Sequence, residues 1–282
     1  YATCSARDNV LTITARGVGV GTTTADLTGT VGMDMNGFTI DGTVSASRIN
    51  LDELMSSGAG SPESAGSRQD ELWDTPLRGC VTVAVRELSR GGVRLSPCNA
   101  EILFSEKNIA IRTTDVQVCG IALPGTAELT PGHIALAARP HAEKASARHV
   151  VQCLSGERSL ITGTLDLRAE LAAQGGPQRL LDGLHGPVSI TLSKGRIYKS
   201  NLLTDILSFL SIRNLLSGRR FDIGKKGFAY RRFEMRGDIR GSLLHIREAL
   251  FDGNALTVVA QGTVSLTDKK IDLTALATPF QA

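Results

Sequence analysis

The side chains with chemistry to offer are few and scattered. The 282-residue chain carries five cysteines, Cys4, Cys80, Cys98, Cys119 and Cys153, and five histidines, His133, His141, His149, His185 and His245. No two cysteines form a C-x-x-C pair, and no histidine stands near them at metal-ligand spacing, so no metal centre is expected. The cysteines admit two readings. They can be buried thiols acting as small apolar side chains, or they can supply one or two disulfides in an oxidising compartment. The odd count then leaves a thiol over, for which Cys4 near the start is the natural candidate. The histidines show no H-E-x-x-H and no i, i+4 pair with an acidic neighbour, and His141 and His149 read as solvated. There is no G-x-S-x-G elbow and no phosphate loop. Gly17-Val18-Gly19-Val20-Gly21 lacks dinucleotide-binding spacing and runs into Thr22, Thr23 and Thr24 rather than a helix, which fits a glycine-rich strand. The expectation is a protein that is not an enzyme and holds no cofactor.

One charge cluster stands out. Arg213, Arg219, Arg220, Lys225, Lys226, Arg231, Arg232, Arg236 and Arg240 lie close in sequence, opposed by Asp222, Glu234 and Asp238. Beside an amphipathic helix, Arg219, Arg220, Lys225, Lys226, Arg231 and Arg232 could meet anionic headgroups, each basic residue contributing about 1 kcal/mol near such a surface. They could equally form a solvated basic edge that discourages strand-to-strand aggregation. The net charge of +3 is small for this length, so nothing global calls for nucleic acid.

The elements that must position these residues are strands. Val188, Ile190 and Leu192 alternate with Ser189, Thr191 and Ser193, and Ile161, Leu165, Leu167, Ala169 and Leu171 alternate with Thr162, Thr164, Asp166, Arg168 and Glu170. Phe38, Ile40, Val44 and Ala46 do the same, as do Val264 and Leu266. Period-two alternation buries one face of a strand and wets the other, so most of the chain should be antiparallel sheet. Many strands open on a glycine: Gly29, Gly42, Gly125, Gly163 and Gly262, and more loosely Gly79, Gly186 and Gly237. Glycine there permits a bulge or sharp bend.

Two stretches read as helix: Asn201–Leu216, with Leu202, Leu203, Ile206, Leu207, Leu210, Ile212 and Leu215 on a broad apolar face ended by Gly218, and a shorter one over Glu143–Leu154. Residues 56–72 are small, polar and contain Pro and Gly, which predicts a flexible loop between an N-terminal strand group (1–55) and a larger C-terminal group (73–282). No apolar run reaches the roughly 20 residues that span a bilayer. The chain opens at Tyr1 without a signal-peptide pattern, so it reads as a piece of a longer protein with any anchor outside it. About a dozen one-sided strands with two helices leave much apolar sheet surface to cover. That face can close on itself as a core, or curl into a groove that something else fills. Aromatics are only 4% of residues, so the face is mainly aliphatic, which suits acyl chains and an ordinary core alike.

The order of segments carries a resemblance. LDGLHGPVSITLSKGRIYKSNLLTDILSFLSIRNLL, then KKGFAYRRFEMRGDIRGSLLHI, then DGNALTVVAQGTVSLTDKKIDLTALATPF, over Leu181–Phe280, resemble the C-terminal region of AsmA-like bacterial envelope proteins. Upstream, LRGCVTVAVREL, DVQVCGIALPGTAEL and CLSGERSLITGTLDLRAEL resemble cysteine-containing members, and Asn50 to Leu54 fits as well. The resemblance implies a long, strongly curved and twisted antiparallel sheet, a β-groove or open taco-like barrel. It implies a periplasmic protein anchored in the inner membrane, non-catalytic, binding phospholipid or another acyl-chain lipid and moving it toward the outer membrane. Leu165, Leu167, Val188, Ile190 and Leu192 would then face lipid, with Leu203, Ile206, Leu207 and Leu210 of the helix against them. The alternative is an envelope scaffold in which the protein's own side chains close the face. In the oxidising setting that the resemblance implies, Cys119–Cys153 and Cys80–Cys98 become the expected disulfides.

Overall fold

A computed structural model of the chain describes residues 1–35, 37–57, 76–156, 161–198, 228–254, 256–268 and 270–279. These form 18 strands and two helices, so the fold is mainly β. The chain divides into two compact units: unit 1 is Tyr1–Val118, Ala122–Ala138 and Ala173–Leu180, and unit 2 is Cys119–Ile121, Arg139–Ala172 and Leu181–Ala282.

Unit 1 runs through β1 (Ala2–Arg7), β2 (Val10–Val20), β3 (Thr23–Asp34), β4 (Gly37–Asn50), α1 (Leu51–Ser57), β5 (Leu77–Arg90), β6 (Val93–Glu106) and β7 (Asn108–Val118). After the two-residue β8 (Ile121–Ala122) come β9 (Gly125–Thr130) and β10 (His133–Ala138). Neighbours pair in the order β1-β2-β3-β4-β5-β6-β7-β9-β10. Asp8–Asn9 and Gly91–Gly92 make the β1–β2 and β5–β6 turns with positive φ at both residues, the two-residue geometry that matches strand twist. Every ladder is antiparallel except β4–β5, which is parallel. The sheet is therefore mixed, a departure from the purely antiparallel expectation. A parallel neighbour needs a crossover rather than a hairpin, and the stretch between Asn50 and Leu77, beginning with α1, supplies the length.

Apolar periodicity predicts no helix at α1, yet its start is written in Asn50-Leu51-Asp52-Glu53. Asn50 Oδ1 accepts from the amides of Asp52 (3.0 Å) and Glu53 (3.4 Å), and its Nδ2 donates to Glu53 Oε1 (3.0 Å). That is a reciprocal cap with the acid three residues on. The expected loop consequently loses Ser56 and Ser57 to the helix, and 58–75 lies outside the described residues.

Unit 2 contains β11 (His141–Ser146), α2 (Ala147–Ser155), β12 (Thr164–Ala169), the first residues of β13 (Leu171–Gly175), β14 (His185–Ile197), β15 (Phe228–Arg240), β16 (Leu243–Gly253), β17 (Leu256–Ser265) and β18 (Ile271–Pro279). Its ladder is antiparallel throughout, in the order β11-β12-β14-β15-β16-β17-β18. The short helix expected over Glu143–Leu154 starts later, because Glu143 to Ser146 complete β11. Ser146 caps the helix by accepting from the His149 amide (3.4 Å), and Gly156 ends it at φ 72°, donating to Gln152 O. The expected helix at 201–216 lies outside the described residues.

β16 contains a bulge. Arg236 pairs with Glu248 but Gly237 pairs with Ile246, leaving Arg247 as the extra residue. The same extra residue reappears against β17. It moves the apolar set of β16 from odd positions (Phe251, Ala249) to even ones (Ile246, Leu244) while keeping all four on one face.

Candidate functional site

Register places the alternating residues of unit 2 in rows that cross the ladder. One row is Leu165, Leu192, Phe233, Phe251, Val258 and Ala277. The next is Ala142, Leu167, Ile190, Met235, Ala249, Ala260 and Ala275, and the third is Ala169, Val188, Gly237, Ile246, Gly262 and Leu273. Partners across an antiparallel pair share a face, so these rows form a single apolar surface. Leu165, Leu167, Val188, Ile190 and Leu192 all lie on it. The opposite face carries Asp166, Thr191 and Glu234 in one row, and Arg168, Ser189, Arg236 and Glu248 in another. Leu250, Val259 and Leu276 continue the first of those rows, an apolar interruption of a polar face.

Burial grades along the apolar face. Leu165 is 7% exposed and Met235 and Ala249 are buried, whereas Leu273 is 37% and Ile271 48% exposed. Leu192, Ile190 and Val188 are half-buried. Unit 1 repeats the pattern, with Cys4, Ile13, Gly29, Gly42, Val81, Ile102, Ile111, Ala127 and Leu136 forming one row across its nine paired strands. Its tightest packing is at Val85, Cys98 and Val116, with Ala46, Ile49, Val83, Leu88, Leu95 and Leu123 around them.

Of the glycines expected to open strands, Gly125 begins β9 and Gly163 precedes β12, whereas Gly29, Gly42, Gly237 and Gly262 lie inside β3, β4, β15 and β17. They sit where neighbouring backbones come close. A Cβ at Gly79 would stand 1.8 Å from Ile40 O, and one at Gly262 2.1 Å from Asp272 O, both at positive φ (126° and 147°). At Gly29, Gly42, Gly125, Gly163, Gly186 and Gly237 an added Cβ would also press on a carbonyl oxygen, at distances of 1.9 to 3.0 Å. Any side chain there would push the strands apart.

Phe228 and Tyr230 lie against Phe251 with tilted rings, their centroids 5.7 and 5.9 Å from its own. The Tyr230 hydroxyl donates to Thr162 O at 2.5 Å, and burial pushes its pKa up, so it stays a proton donor. Leu203, Ile206, Leu207, Leu210, Arg219, Arg220, Lys225 and Lys226 lie outside the described residues. Arg231 and Arg232 are on β15, each in an ion pair, with Asp252 (2.7 Å) and with Glu234. The carboxylate of Asp252 raises the Arg231 pKa further, so this guanidinium stays charged.

Cys119 and Cys153 are joined in a disulfide with Cα atoms 5.6 Å apart. Cys80 and Cys98 are free, against expectation. The β5–β6 hairpin is formed, but Cys80 pairs with Leu103 and Cys98 with Val85. Five residues along a strand separate the two by roughly 16 Å, and the odd offset puts them on opposite faces, whereas a bridge needs Cα atoms within about 7 Å. Burial pushes the Cys98 thiol pKa up, which leaves it a small apolar packing residue.

Sequence reasoning missed the acidic pair of α1. Glu53 accepts from the Thr22 amide (2.7 Å) and hydroxyl (2.9 Å), and Asp52 accepts from the Gly91 amide (2.7 Å). The helix thereby holds the β2–β3 and β5–β6 turns. The Thr22 amide bond is the main reason the Glu53 pKa lies below the usual carboxylate range. The capping signature at Asn50 was the available signal.

Among the described residues no group of three or more His, Cys, Asp or Glu side chains could hold a metal ion. No helix among them is long and apolar enough to cross a membrane. A shallow open depression on unit 1 is lined by Asp26, Ser45, Ser47, Arg86 and Asn99 among others. Comparison of the chain with protein-family models, with curated proteins and with solved structures found no match.

Proposed function

We propose that the chain is a non-catalytic lipid-holding module whose one-sided aliphatic face takes acyl chains, in the manner of the AsmA-like envelope proteins it resembles. The observation that carries this reading is the set of apolar rows, mainly aliphatic, that run from β12 to β18. They stay in register through the bulge at Arg247 and remain half-exposed over much of their length. A face of this kind spares acyl chains from water at about 25 cal/mol per Å² of apolar surface covered, and it needs no covalent step. The disulfide supports an oxidising compartment. In this reading the protein works in the periplasm, tethered to the inner membrane by a segment outside this chain, and passes phospholipid toward the outer membrane.

The test is lipid capture. Purified protein, extracted with organic solvent and analysed by mass spectrometry, is expected to carry phospholipid, and to take up a fluorescent phospholipid from vesicles of phosphatidylethanolamine and phosphatidylglycerol. Leu192→Asp should abolish uptake, while Thr191→Asp, on the opposite face, should leave it within about twofold; circular dichroism checks that both fold. Neither co-extracted lipid nor uptake by the unsubstituted protein would refute the reading and favour a scaffold with a closed face.

A further inference from the structure

The bridge between Cys119 and Cys153 ties α2 to a tight turn instead of stitching the ladder. No residue of β12 or β14–β18 takes part in it. Cys119 and Gly120 form the turn, at φ 54° and 80°, and Cys153 lies on the exposed side of a nine-residue helix. Helices this short are marginal by themselves, and α2 includes Val150 and Val151, whose β-branched side chains lower helix propensity. Two of its residues are buried, Ala147 at 0% and Val150 at 3% exposure, while Val151 and Leu154 are exposed.

The helix also lies at a particular place. It follows β11 directly, and the Ala147 amide donates to Gly163 O at 3.0 Å, which sets its first turn beside the start of β12. Leu165, two residues further on, and Ala142 on β11 are among the most deeply buried members of the apolar face. The same face at β18, where no helix stands among the described residues, is exposed at Ile271 and Leu273.

We propose that α2 is a covalently latched flap over the β11–β12 end of the apolar face, released by thiol–disulfide exchange with a dithiol reductant. One thiolate of the reductant attacks the accessible sulfur of Cys153, forming a mixed disulfide and expelling the Cys119 thiolate, which takes up a proton. The second reductant thiol then attacks its own mixed-disulfide sulfur, freeing Cys153 as a thiol and leaving the reductant as a cyclic disulfide. Two electrons pass to the protein, and helix packing alone then has to hold the flap. The role of the flap as a gate to a lipid path rests on the lipid-holding reading above; the flap itself does not.

The experiment is hydrogen exchange on the intact folded chain with and without dithiothreitol, read by mass spectrometry. Cys4, Cys80 and Cys98 are already free thiols, so the reductant has one bridge to cut. Amides of 147–156 are expected to exchange at least roughly tenfold faster after reduction, with those of β14–β17 changed less than about twofold. Equal acceleration of β14–β17 would make the bridge a global staple and overturn the proposal, as would unchanged protection of 147–156. The Cys119→Ser/Cys153→Ser variant should reproduce the reduced pattern without reductant. Uptake of fluorescent phospholipid should be faster in the reduced state. Equal uptake in both states, with the flap shown to open, would overturn the gate, whereas no uptake in either state would overturn the lipid reading and leave the flap standing.

Discussion

The two ends of the apolar face in unit 2 are written in the same alternating code and end differently. At β11–β12, Leu165 and Ala142 are buried, whereas at β18 Ile271 and Leu273 of the same face stand exposed, at 48% and 37%. Period two fixes which side of a strand is apolar. It does not fix whether that side is sealed, because sealing depends on what is laid over it. Edge strands are commonly protected by charge or proline; β18 has Asp272 within it and Pro279 at its end, with apolar residues on both faces between.

Substitutions can break this contrast. Leu165→Asp places a charge in the sealed end and is expected to cost about 3–5 kcal/mol, or to prevent folding, whereas Leu273→Asp at the open end should cost less than about 1 kcal/mol. Urea denaturation monitored by circular dichroism measures both, and equal costs would mean that the two ends are equally covered. Gly262→Ala addresses the open end by another route. Its Cβ would meet the Asp272 carbonyl oxygen at 2.1 Å, and we expect about 2 kcal/mol of destabilisation, since backbone must move to admit it. A cost as small as that of an exposed surface change would show that β17 and β18 separate easily.

The smallest expected effect concerns how the two helices are held. α1 is held by carboxylates and α2 by a disulfide, so acid and reductant should act on them separately. The folded-state pKa of Glu53 is lowered, so the stability it contributes is fully present above its ordinary value of 4.5 and is lost as pH falls through the lower folded value. Arg48 is the cation that adds to this lowering. Exchange of the Thr22 amide should accelerate over that acidic window, and Glu53→Gln should remove the pH dependence at modest cost, while amides of α2 stay unaffected. Acid loosening of both helices together would show that they are not independently held.

Much of this was legible in the sequence, and the exceptions have physical causes. The faces of β12 and β14 follow directly from Leu165, Leu167, Val188, Ile190 and Leu192, because a two-residue period leaves one choice of side. The Cys80–Cys98 pairing could have been excluded by counting outward from Gly91-Gly92, which sets Leu103 opposite Cys80. The start of α1 was readable in Asn50-Leu51-Asp52-Glu53, and that of α2 in Ser146. The Cys119–Cys153 bridge was not readable from spacing, since a sequence separation of 34 leaves the approach to tertiary packing. Nor was the parallel β4–β5 pair, because local pattern does not encode the direction of a neighbour. The exposure gradient was beyond reach for the same reason: alternation at β12 and at β18 looks alike on paper.

The extra residue Arg247, paired with Asp238 at 2.9 Å on the polar side, behaves as a phase correction in a two-letter message. Leu244 and Ile246 would be out of step with Ala249 and Phe251 if β16 were regular; the insertion resets the count so that both halves spell the same side. Indels of one residue in this strand should therefore be far less tolerated than substitutions at the same positions, unless a second one nearby restores the frame. Reading frame, in this molecule, is kept twice: once by the codons and again by the pleat.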